Sequence, residues 1–595
     1  MCHGYEHYDN RFVARASGCE HAEEYPVVQE STRRTAIDVL RARPSARVLV
    51  IGGGINGIAT FRDLALQGVD VTLVERGDFA SGASSASSHM IHGGIRYLEN
   101  GEFRLVRESV QERNGLLQIA PHYVRPLPTT VPIFSTFSGI LSAPLRFLTH
   151  KQGNPKERGA LLIKVGLVLY DTFSRDGGTV PRHRFIGKKK ALGDLARLNP
   201  GVKYTATYYD ASMHDPERLA LDVLHDGLAV GSNARAFNYV EAVGGSAAGV
   251  QLRDVESGEE FTFAADVVVN ASGPWTDLTN GAMGAPTSMM GGTKGSHIVL
   301  DNPELLEATK GREIFFENND GRIVLIYPLK GRVLVGTTDI DADPRETPVC
   351  TPEEIDYFFD LVSHVFPTIS MDRSQIVYTF SGIRPLPTHD DTQPGFVSRD
   401  YRIVPDEKSP IGVPVLSLVG GKWTTFRALA EHLSNEVLER LGVERTVSTD
   451  GLAIGGGKGF PKTDSARRAW LATRDTVSGV RAAQLLEQYG TRADEVIDFL
   501  DGNAADAPIE GTDLSTGEIE FFALHENAVH IADVVFRRSS IAFVGAVTLP
   551  VLESIGAAMA PVLGWDDAEV RAEIAATRDE LERLHGVRIE SATAL

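Results

Sequence analysis

A glycine turn between two apolar runs constrains the fold of this chain more than any other feature. Val48-Leu49-Val50-Ile51 is apolar throughout, which is typical of a buried parallel strand. Gly52-Gly53-Gly54-Ile55-Asn56-Gly57 follows it directly. Residues 58–67 then have the apolar spacing of a helix, and residues 69–74 indicate a second strand. This order predicts a dinucleotide-binding βαβ unit.

Each glycine of the turn has a physical task. Gly52 permits the tight turn, Gly54 lets the backbone approach a pyrophosphate, and Gly57 lets the helix pack on the strand. The helix N-terminus offers unpaired amides and the positive end of its dipole to phosphate oxygens. Glu75 ends the second strand, where a carboxylate accepts hydrogen bonds from ribose hydroxyls. This acid disfavours the 2′-phosphate of NADP, but the unit alone fits both FAD and NAD.

The segment after Glu75 separates these two cofactors. Residues 78–100 read DFASGASSASSHMIHGGIRYLEN. This segment resembles the FAD-dependent glycerol-3-phosphate dehydrogenase family, whose members carry a similar Ser-rich loop that runs into His-Gly-Gly-hydrophobic-Arg-Tyr-Leu-Glu. The resemblance implies that the dinucleotide is FAD.

The same resemblance continues over about residues 47–570. The further motifs, in chain order, are Val269-Asn270-Ala271-Ser272-Gly273-Pro274-Trp275, Lys294-Gly295-Ser296-His297, Gly336-Thr337-Thr338-Asp339, Gly382-Ile383-Arg384-Pro385-Leu386, Val397-Ser398-Arg399-Asp400, Gly420-Gly421-Lys422-Trp423-Thr424-Thr425-Phe426-Arg427 and Ala532-Asp533-Val534-Val535-Phe536-Arg537-Arg538. The chain departs from the family at His89, where members usually have lysine. It also departs at Trp423 and Phe426, where we expect a smaller apolar residue and a tyrosine.

The Ser-rich loop has a physical interpretation beside the resemblance. Small residues let a loop lie against a cofactor, and hydroxyls and amides can bond phosphate and ribityl oxygens. A glycine pair allows close backbone approach to the flavin ring. A solvated linker is the alternative, but the loop lies between a nucleotide-binding strand and an apolar glycine-containing segment. The residues that we assign here to the cofactor are Ser84, Ser85, Ser88, His92, Gly93 and Gly94.

The chain of 595 residues is too long for one hydrophobic core. The resemblance implies an α/β fold, with an FAD-binding Rossmann-like domain of the glutathione-reductase and amino-acid-oxidase type, an antiparallel-sheet substrate domain and a helical C-terminal domain. Strand-like runs at residues 322–328 and 332–337 support the second of these. We expect an N-terminal extension over 1–46, a discontinuous FAD-binding domain over 47–120, 200–275 and 375–440, a substrate-binding or cap domain over 121–199 and 276–374, and the helical domain over 441–595.

Two arginines are expected to hold a substrate phosphate, since guanidinium groups match phosphate oxygens in bidentate pairs. Arg96 follows the glycine pair within a mostly apolar stretch, and Arg384 precedes Pro-Leu-Pro. A lone arginine more often forms a surface ion pair, but both settings are poor for a solvated face. Tyr97 is expected to add a hydroxyl hydrogen bond.

A second junction of strand, glycine and helix lies at Gly420 and Gly421, between the apolar run 415–419 and a helix that we expect to begin at Thr424. In the resembling family this junction lies by the pyrimidine edge of the flavin. The helix N-terminus and Lys422 would stabilise the negative charge of reduced flavin. A helix-capping turn with an exposed lysine is the alternative. By resemblance, Gly273, Gly420, Gly421 and Thr424 are assigned to the cofactor, and Lys422 to catalysis.

Oxidation of a secondary alcohol also needs a group that takes the hydroxyl proton. Histidine, with a pKa near 6.5, suits this task. His297 is the first candidate because of its position in the Lys-Gly-Ser-His motif, and His92 is its rival. We expect no metal, because His525 and His530 are five residues apart and a zinc helix requires a spacing of four.

The charge distribution restricts the partners. The net charge of −20 disfavours nucleic acid. Residues 139–190 nevertheless hold eleven lysines and arginines and three acids, together with apolar runs. This pattern fits peripheral contact with an anionic membrane surface, and a solvated edge of the substrate domain is the alternative.

No run of about 20 apolar residues indicates a membrane-spanning helix. Residues 540–565 are interrupted by Pro550 and Glu553, and we expect a buried helix pair there. The N-terminus MCHGYEHYDN lacks the pattern of a secretory signal. The only cysteines are Cys2, Cys19 and Cys350, which favours a reducing compartment. We therefore expect a cytoplasmic protein, peripheral on the cytoplasmic face of the inner membrane.

The resemblance implies oxidation of sn-glycerol 3-phosphate to dihydroxyacetone phosphate, by hydride transfer from C2 to flavin N5. Electrons would pass to a membrane quinone, and a homodimer is one option for the assembly. Three alternatives remain: an oxidase that uses oxygen, a related flavoenzyme for hydroxy acids or amino acids, and a flavin-binding module without catalysis.

Overall fold

Strands and helices alternate through most of the chain, and a run of helices ends it. In the computed structural model the described residues are 33–94, 103–134, 167, 180–317, 323–388 and 400–589. Their helices are α1 Arg33–Ala42, α2 Ile55–Leu66, α3 Phe103–Ile119, α4 Lys188–Asp194, α5 Pro216–Leu228, α6 Thr276–Ala282, α7 Pro303–Thr309, α8 Pro352–Val365, α9 Phe426–Leu441, α10 Asp464–Leu471, α11 Gly479–Tyr489, α12 Ala493–Asp501, α13 Thr516–His525, α14 Ile531–Asp533, α15 Leu549–Leu563 and α16 Asp567–His585.

The strands form three sheets. They are β1 Val48–Ile51, β2 Val71–Val74, β3 Met90–Ile91, β4 Val124–Ile133, β5 Arg184–Gly187, β6 Tyr204–Met213, β7 Ala234–Phe237, β8 Val240–Ser246, β9 Gly249–Asp254, β10 Glu260–Phe263, β11 Val267–Asn270, β12 Met290–Leu300, β13 Glu313–Glu317, β14 Ile323–Leu329, β15 Arg332–Gly336, β16 Ile340–Asp341, β17 Ile376–Pro387, β18 Arg402–Asp406 and β19 Val415–Val419. The runs predicted as strands at 322–328 and 332–337 are confirmed as the antiparallel pair β14 and β15.

The nucleotide-binding unit is built on a six-stranded sheet with the order β18-β19-β11-β1-β2-β7. Its strands are parallel except for β18, which runs antiparallel to β19. Every residue of β1, β2, β11 and β19 is buried, as expected for parallel strands that are covered on both faces. Helix α2 lies against α5 and α9 on this sheet. It begins at Ile55, three residues before the predicted start, because Gly54 of the turn is already its N-cap.

A ten-stranded sheet forms the second layer. Its pairs are antiparallel apart from β13 and β4, which are parallel. Strand β17 pairs with β12 along nearly its whole length, so residues 293–297 lie beside residues 380–384. The third sheet is the small antiparallel group β10-β9-β8.

The C-terminal helices pack on the ten-stranded sheet. One buried apolar cluster joins sheet residues such as Val299, Leu334 and Tyr378 to C-terminal residues such as Phe522 and Leu552. The predicted fold class is thereby confirmed: an α/β nucleotide-binding unit, a largely antiparallel second sheet and a helical C-terminal part. The predicted domain bounds stay predictions. Strands β3, β6 and β17, which lie within the segments predicted for the FAD-binding domain, pair in the ten-stranded sheet.

The expected helix pair over residues 540–565 is wrong in one respect. A single helix, α15, occupies this stretch. It begins late because Thr548 caps its N-terminus by accepting a hydrogen bond from the amide of Val551, with Pro550 in the first turn. Within the described part of the chain, no helix is both long and apolar enough to cross a membrane.

Candidate active site

A cavity of about 700 Å³ lies between the six-stranded sheet, strand β17 and the C-terminal helices. Its wall includes the glycine turn, the end of β2 with the loop after it, residues 271–275 and residues 378–383. The C-terminal part contributes residues 535–537 and 542–543. A volume of this size suits a cofactor or a ligand of similar size. Of the residues assigned to the cofactor from the sequence, Gly52, Gly54, Glu75, Ser84, Ser85 and Gly273 line this cavity.

The glycine turn accepts no larger residue at two of its positions. A Cβ atom at Gly57 would lie 1.9 Å from the carbonyl oxygen of Gly52, so helix α2 touches the end of β1. Gly52 has a φ of +113°, and a Cβ atom there would lie 2.6 Å from the carbonyl oxygen of Ala271. Gly57 therefore acts behind the cavity wall, through packing, and Gly52 and Gly54 form the wall itself. This cradle and the helix N-terminus fit the pyrophosphate of a dinucleotide.

Glu75 is fixed by the backbone around it. Its carboxylate accepts hydrogen bonds from the amides of Gly53 at 2.6 Å and Gly77 at 2.9 Å. Burial raises the pKa of Glu75 above its usual range, although these two amides act against that shift. A carboxylate held at the end of β2 in this manner fits the ribose of a dinucleotide.

The three serines assigned from the loop have different surroundings. The Ser84 hydroxyl accepts a hydrogen bond from the amide of Ile55 at 3.0 Å, which ties the loop to the N-terminus of α2. Ser85 donates to the carbonyl of Gly82 at 3.0 Å. Ser88 does not line the cavity; its Oγ atom lies 2.8 Å from Nε2 of His297. The structure thus places Ser88 beside the candidate base.

Two residues of the cavity wall are not assigned to the site from the sequence. The guanidinium carbon of Arg76 lies 4.5 Å from the ring centroid of Trp275, and both residues line the cavity. The indole Nε1 of Trp275 donates to the carbonyl of Pro344 at 2.8 Å. Trp275 ends the motif at residues 269–275 and Arg76 follows Glu75 directly, but neither position in the sequence indicates that the guanidinium would stack on the indole.

The second glycine junction meets the first loop. Thr424 Oγ1 donates to the carbonyl of His92 at 3.2 Å, and Trp423 Nε1 donates to the carbonyl of Ser84 at 3.0 Å. Residues Trp423–Thr425 form a 3₁₀ turn before α9, so the helix expected at Thr424 begins at Phe426. Six residues assigned to the cofactor from these two segments do not line the cavity: His92, Gly93, Gly94, Gly420, Gly421 and Thr424.

Lys422 and Gly93 are held by groups outside the cavity. The Nζ atom of Lys422 donates to the Ser109 hydroxyl of α3 at 2.6 Å. The amide of Gly93 donates to Oδ1 of Asp210 at 3.0 Å, and Arg113 donates to the same oxygen at 3.1 Å. The junction around Lys422 is therefore held against α3, and Gly93 is held against β6.

His297 lies in the middle of β12 and is 1% exposed. Its ring stacks on Phe380 of β17, with the centroids 4.6 Å apart and the planes 11° apart. Among the residues that the structure describes, Nδ1 of His297 has no hydrogen-bond partner. Burial, reinforced by the positive charge of Arg384, holds the pKa of His297 well below 6.5. The ring is therefore a neutral imidazole at physiological pH.

Arg384 of β17 lies opposite Thr293 of β12, and its guanidinium covers Gly295. It donates to Oδ1 of Asp339 at 2.9 Å, to the Thr337 hydroxyl at 2.9 Å and to the Thr338 carbonyl at 3.0 Å. These contacts orient the guanidinium before any ligand arrives. The structure thus brings His297 and Arg384 together through the β12–β17 pair, although neither side chain lines the cavity, and Arg96 and Tyr97 lie outside the described residues.

His89, the position at which the chain departs from the family, also lines the cavity. Its ring lies between Phe380 and Phe543, and Nδ1 is 3.2 Å from the carbonyl oxygen of Met213. Burial lowers the pKa of His89 to about 4, so the side chain brings no positive charge at physiological pH.

No group of three or more histidine, cysteine, aspartate or glutamate side chains within the described ranges could hold a metal ion. The residues of the pattern that resembles a zinc helix, His525, Glu526 and His530, include two that form ion pairs or hydrogen bonds elsewhere. Glu526 pairs with Arg218, and His530 Nδ1 lies 2.9 Å from a carboxylate oxygen of Glu573. Most of the basic segment 139–190 lies outside the described residues; inside them, Arg182, Arg184, Lys188, Lys189 and Lys190 are exposed.

Comparison with known proteins places this geometry in a family. Residues 47–407 match the model of the FAD dependent oxidoreductase family, and residues 447–570 match the C-terminal domain of alpha-glycerophosphate oxidase. The chain is 34% identical over 521 residues to a glycerol-3-phosphate dehydrogenase of Synechocystis, covering 84% of this chain and 89% of that protein. It is 31% identical over 512 residues to the D-erythritol 1-phosphate dehydrogenase of Brucella abortus, covering 83% of this chain and 93% of that protein.

The fold has a solved counterpart. The glycerol-3-phosphate dehydrogenase of Bacillus halodurans, solved in complex with FAD, superposes with a TM-score of 0.70 at 23% identity. The match covers 93% of this chain and 98% of that structure. At this level of identity the likeness concerns the fold, and it extends through the C-terminal helices.

Proposed function

Because the chain belongs to the family of FAD-dependent oxidoreductases, in its glycerol-3-phosphate dehydrogenase and oxidase group, we propose that it oxidises sn-glycerol 3-phosphate to dihydroxyacetone phosphate. The observation that carries this proposal is the pair His297 and Arg384, a neutral base and a fixed guanidinium on adjacent strands. When bound, FAD supplies the hydride acceptor, its N5 atom. The remaining work falls to the side chains of the protein.

His297 takes the proton that leaves the substrate hydroxyl. A base must be unprotonated to accept a proton, and burial keeps this imidazole neutral. The accepting atom is Nε2, which lies 2.8 Å from the Ser88 hydroxyl, so in this proposal Ser88 gives its own proton to Nε2 as it takes the proton of the substrate hydroxyl. Ser88 holds the ring orientation from the loop side, and Phe380 holds it by stacking from the strand side.

Arg384 binds the phosphate of the substrate, together with Arg96 and Tyr97. Its contacts with Asp339, Thr337 and Thr338 fix the guanidinium plane, so little side-chain freedom is lost on binding. The charge of Asp339 partly offsets that of Arg384, which makes a second cation necessary for a dianionic phosphate. Arg96 is that second cation in the proposal.

In this proposal Lys422 stabilises the negative charge of the reduced flavin. Its hydrogen bond to Ser109 holds the ammonium group at the junction of β19 and α9, and the 3₁₀ turn there adds amides to the same junction. Preorganised cations and amides of this kind contribute without reorganisation during the reaction.

The electron acceptor that we propose is a membrane quinone, and the attachment is peripheral, on the cytoplasmic face of the inner membrane. The basic segment 139–190 supports this, since Lys188, Lys189 and Lys190 are exposed in the first turn of α4. Stoichiometric peroxide release during turnover in air would instead indicate an oxidase. Failure to bind anionic vesicles at low salt would contradict the attachment.

A longer polyol phosphate is the second candidate substrate. The relative from Brucella abortus is named for D-erythritol 1-phosphate and matches over 93% of its length. A panel of substrates separates the candidates: sn-glycerol 3-phosphate, D-erythritol 1-phosphate, unphosphorylated glycerol and L-lactate, with a dye as acceptor. We expect the highest kcat/KM for sn-glycerol 3-phosphate and almost no turnover of the last two. A higher kcat/KM for L-lactate would contradict the phosphate site.

A further inference from the structure

The C-terminal helices reach the cofactor loop through one buried carboxylate. Asp78 lies in the loop that joins Glu75 at the end of β2 to Ser84 at the cavity wall, and it is 1% exposed. Two consecutive arginines, Arg537 and Arg538, at the end of the π-helical segment Val534–Arg538, which continues α14, contact it. These residues are separated from Asp78 by more than 450 positions in the chain.

The two arginines form ion pairs with two buried aspartates. Arg538 Nη2 donates to Oδ1 of Asp78 at 2.9 Å, while Arg538 Nη1 and Arg537 Nε both donate to Oδ2. Arg537 also donates to Oδ1 of Asp533 at 2.6 Å. Two carboxylates therefore face two guanidiniums. Arg538 is 0% exposed and Asp533 is 0% exposed, so water does not compete with these bonds.

The same loop is tied to the glycine turn on its other side. Glu75 accepts from the amide of Gly53 at 2.6 Å, and the amide of Ala80 donates to the Gly53 carbonyl at 2.8 Å. Ser84 accepts from the amide of Ile55 at 3.0 Å. The loop that carries Glu75 and Ser84 is thus fixed between the βαβ unit and the C-terminal part.

A buried ion pair is a poor source of stability, since the cost of removing the charges from water offsets most of their attraction. Its geometry, however, is strict, because each lost bond leaves a buried charge without a partner. A pair at this place therefore serves to fix the position of the loop more than to strengthen the contact between the domains.

We propose that Arg538 is a positioning residue for FAD: through Asp78 it holds the loop that carries Glu75 and Ser84 in the conformation that binds the cofactor. The C-terminal domain would then be required for cofactor affinity, although Arg538 itself lies outside the cavity wall. This inference rests on FAD as the cofactor and not on the proposed substrate, so its failure leaves the substrate assignment untouched.

The test measures the FAD dissociation constant of the full-length apoprotein by the quenching of flavin fluorescence. Arg538→Met removes the charge, and Arg538→Lys keeps a cation but loses the paired bonds, which covers the case in which the first variant does not fold. The control is Arg492→Met. Arg492 also lies in the C-terminal part and pairs with a buried carboxylate outside that part, Asp222 of α5, at 2.6 Å.

We expect the Arg538 variants to bind FAD about tenfold more weakly than the wild type or worse, a difference of the size that losing one charged contact produces. The Arg492→Met variant should lose thermal stability but keep its FAD affinity within about twofold, since its partner Asp222 does not belong to the cofactor loop. Equal FAD affinity in the Arg538 variants and the wild type, or equal weakening in the control, would overturn the proposal.

Discussion

The Nε2 atom of His297 lies 2.8 Å from the Oγ atom of Ser88, so the candidate base on the second sheet touches the loop that begins at the nucleotide-binding strand. The other ring nitrogen has no partner in the described part of the structure, and the ring stacks on Phe380. This contact joins the loop proposed to hold the cofactor to the histidine proposed as the base.

The first prediction concerns His297 and pH. The pKa of His297 is held well below 6.5, first by burial and then by Arg384. The neutral form, which the proposed mechanism requires, therefore persists as the pH falls through 6.5 and is lost only in more acidic solution. We expect kcat/KM to show no acidic limb from this group between about pH 8 and pH 6.5. An acidic limb centred at 6.5 that disappears in His297→Gln would contradict the burial argument.

Replacing the base should slow the reaction while leaving the cofactor bound. We expect His297→Gln to lower kcat by about 10²- to 10⁴-fold, the usual contribution of a general base. The exposed His432 offers a control, because its ring lies at the surface beside Tyr401. His432→Gln should retain the wild-type kcat. If His297→Gln also retained it, His92 would become the candidate.

The second prediction concerns Arg384. Its replacement by alanine removes charged hydrogen bonds to the phosphate worth about 1.5–3 kcal/mol, so KM should rise about 10- to 100-fold. Arg312→Ala is the control, since Arg312, directly before β13, pairs with Asp194 of helix α4 through bonds of 2.7 and 2.9 Å. Unchanged KM and kcat in Arg384→Ala would remove this residue from the phosphate site.

The third prediction tests the glycine turn. Gly57→Ala would bring a Cβ atom to 1.9 Å from the Gly52 carbonyl, so α2 must move away from β1. We expect the variant to lose FAD during purification and to unfold at lower temperature. Gly115→Ala in α3 is the control, because nothing lies within 4 Å of its added Cβ, and a helical alanine should be neutral or stabilising. Full FAD content in Gly57→Ala would contradict the tight contact.

The fourth prediction concerns a buried acid away from the cavity. Glu313 of β13 is 0% exposed and accepts a hydrogen bond from the Thr129 hydroxyl at 2.8 Å. Burial raises its pKa to about 8, so the folded protein holds this proton at pH values where the unfolded chain has released it. Stability should therefore fall as the pH rises from about 5 to about 8, by on the order of 3–5 kcal/mol from this group.

Glu313→Gln removes the titration and should flatten that part of the profile. Thermal unfolding at pH 5 and pH 9 measures the change, and Glu439→Gln on the exposed face of α9 is the control. A pH profile identical to the wild type in Glu313→Gln would show that another group causes the loss of stability.

The sequence predicted those parts of the site that depend on neighbouring residues. The glycine turn, the strand before it and Glu75 lie within one βαβ unit, where spacing alone sets their geometry. The start of α2 was misplaced because an N-cap glycine and the turn glycines look alike in sequence. The FAD cofactor and the fold class followed from the family resemblance that the motifs carry, and both are confirmed.

Contacts between distant segments were not predictable in the same manner. Ser88 and His297 are 209 residues apart, and Asp78 and Arg538 are 460 apart. Their meeting depends on the pairing of β12 with β17 and on the packing of the C-terminal helices, which no local pattern encodes. For this reason Ser88 was assigned to the cofactor alone, and Arg76 and Trp275 were not assigned to the site at all.

The proposed oxidation is tested most directly by adding sn-glycerol 3-phosphate to the FAD-loaded protein without oxygen and following the visible absorbance of the flavin. We expect rapid bleaching in a single turnover, with dihydroxyacetone phosphate formed in equal amount to the flavin reduced. Glycerol without the phosphate should leave the spectrum unchanged. An unbleached flavin at saturating sn-glycerol 3-phosphate would contradict the assignment.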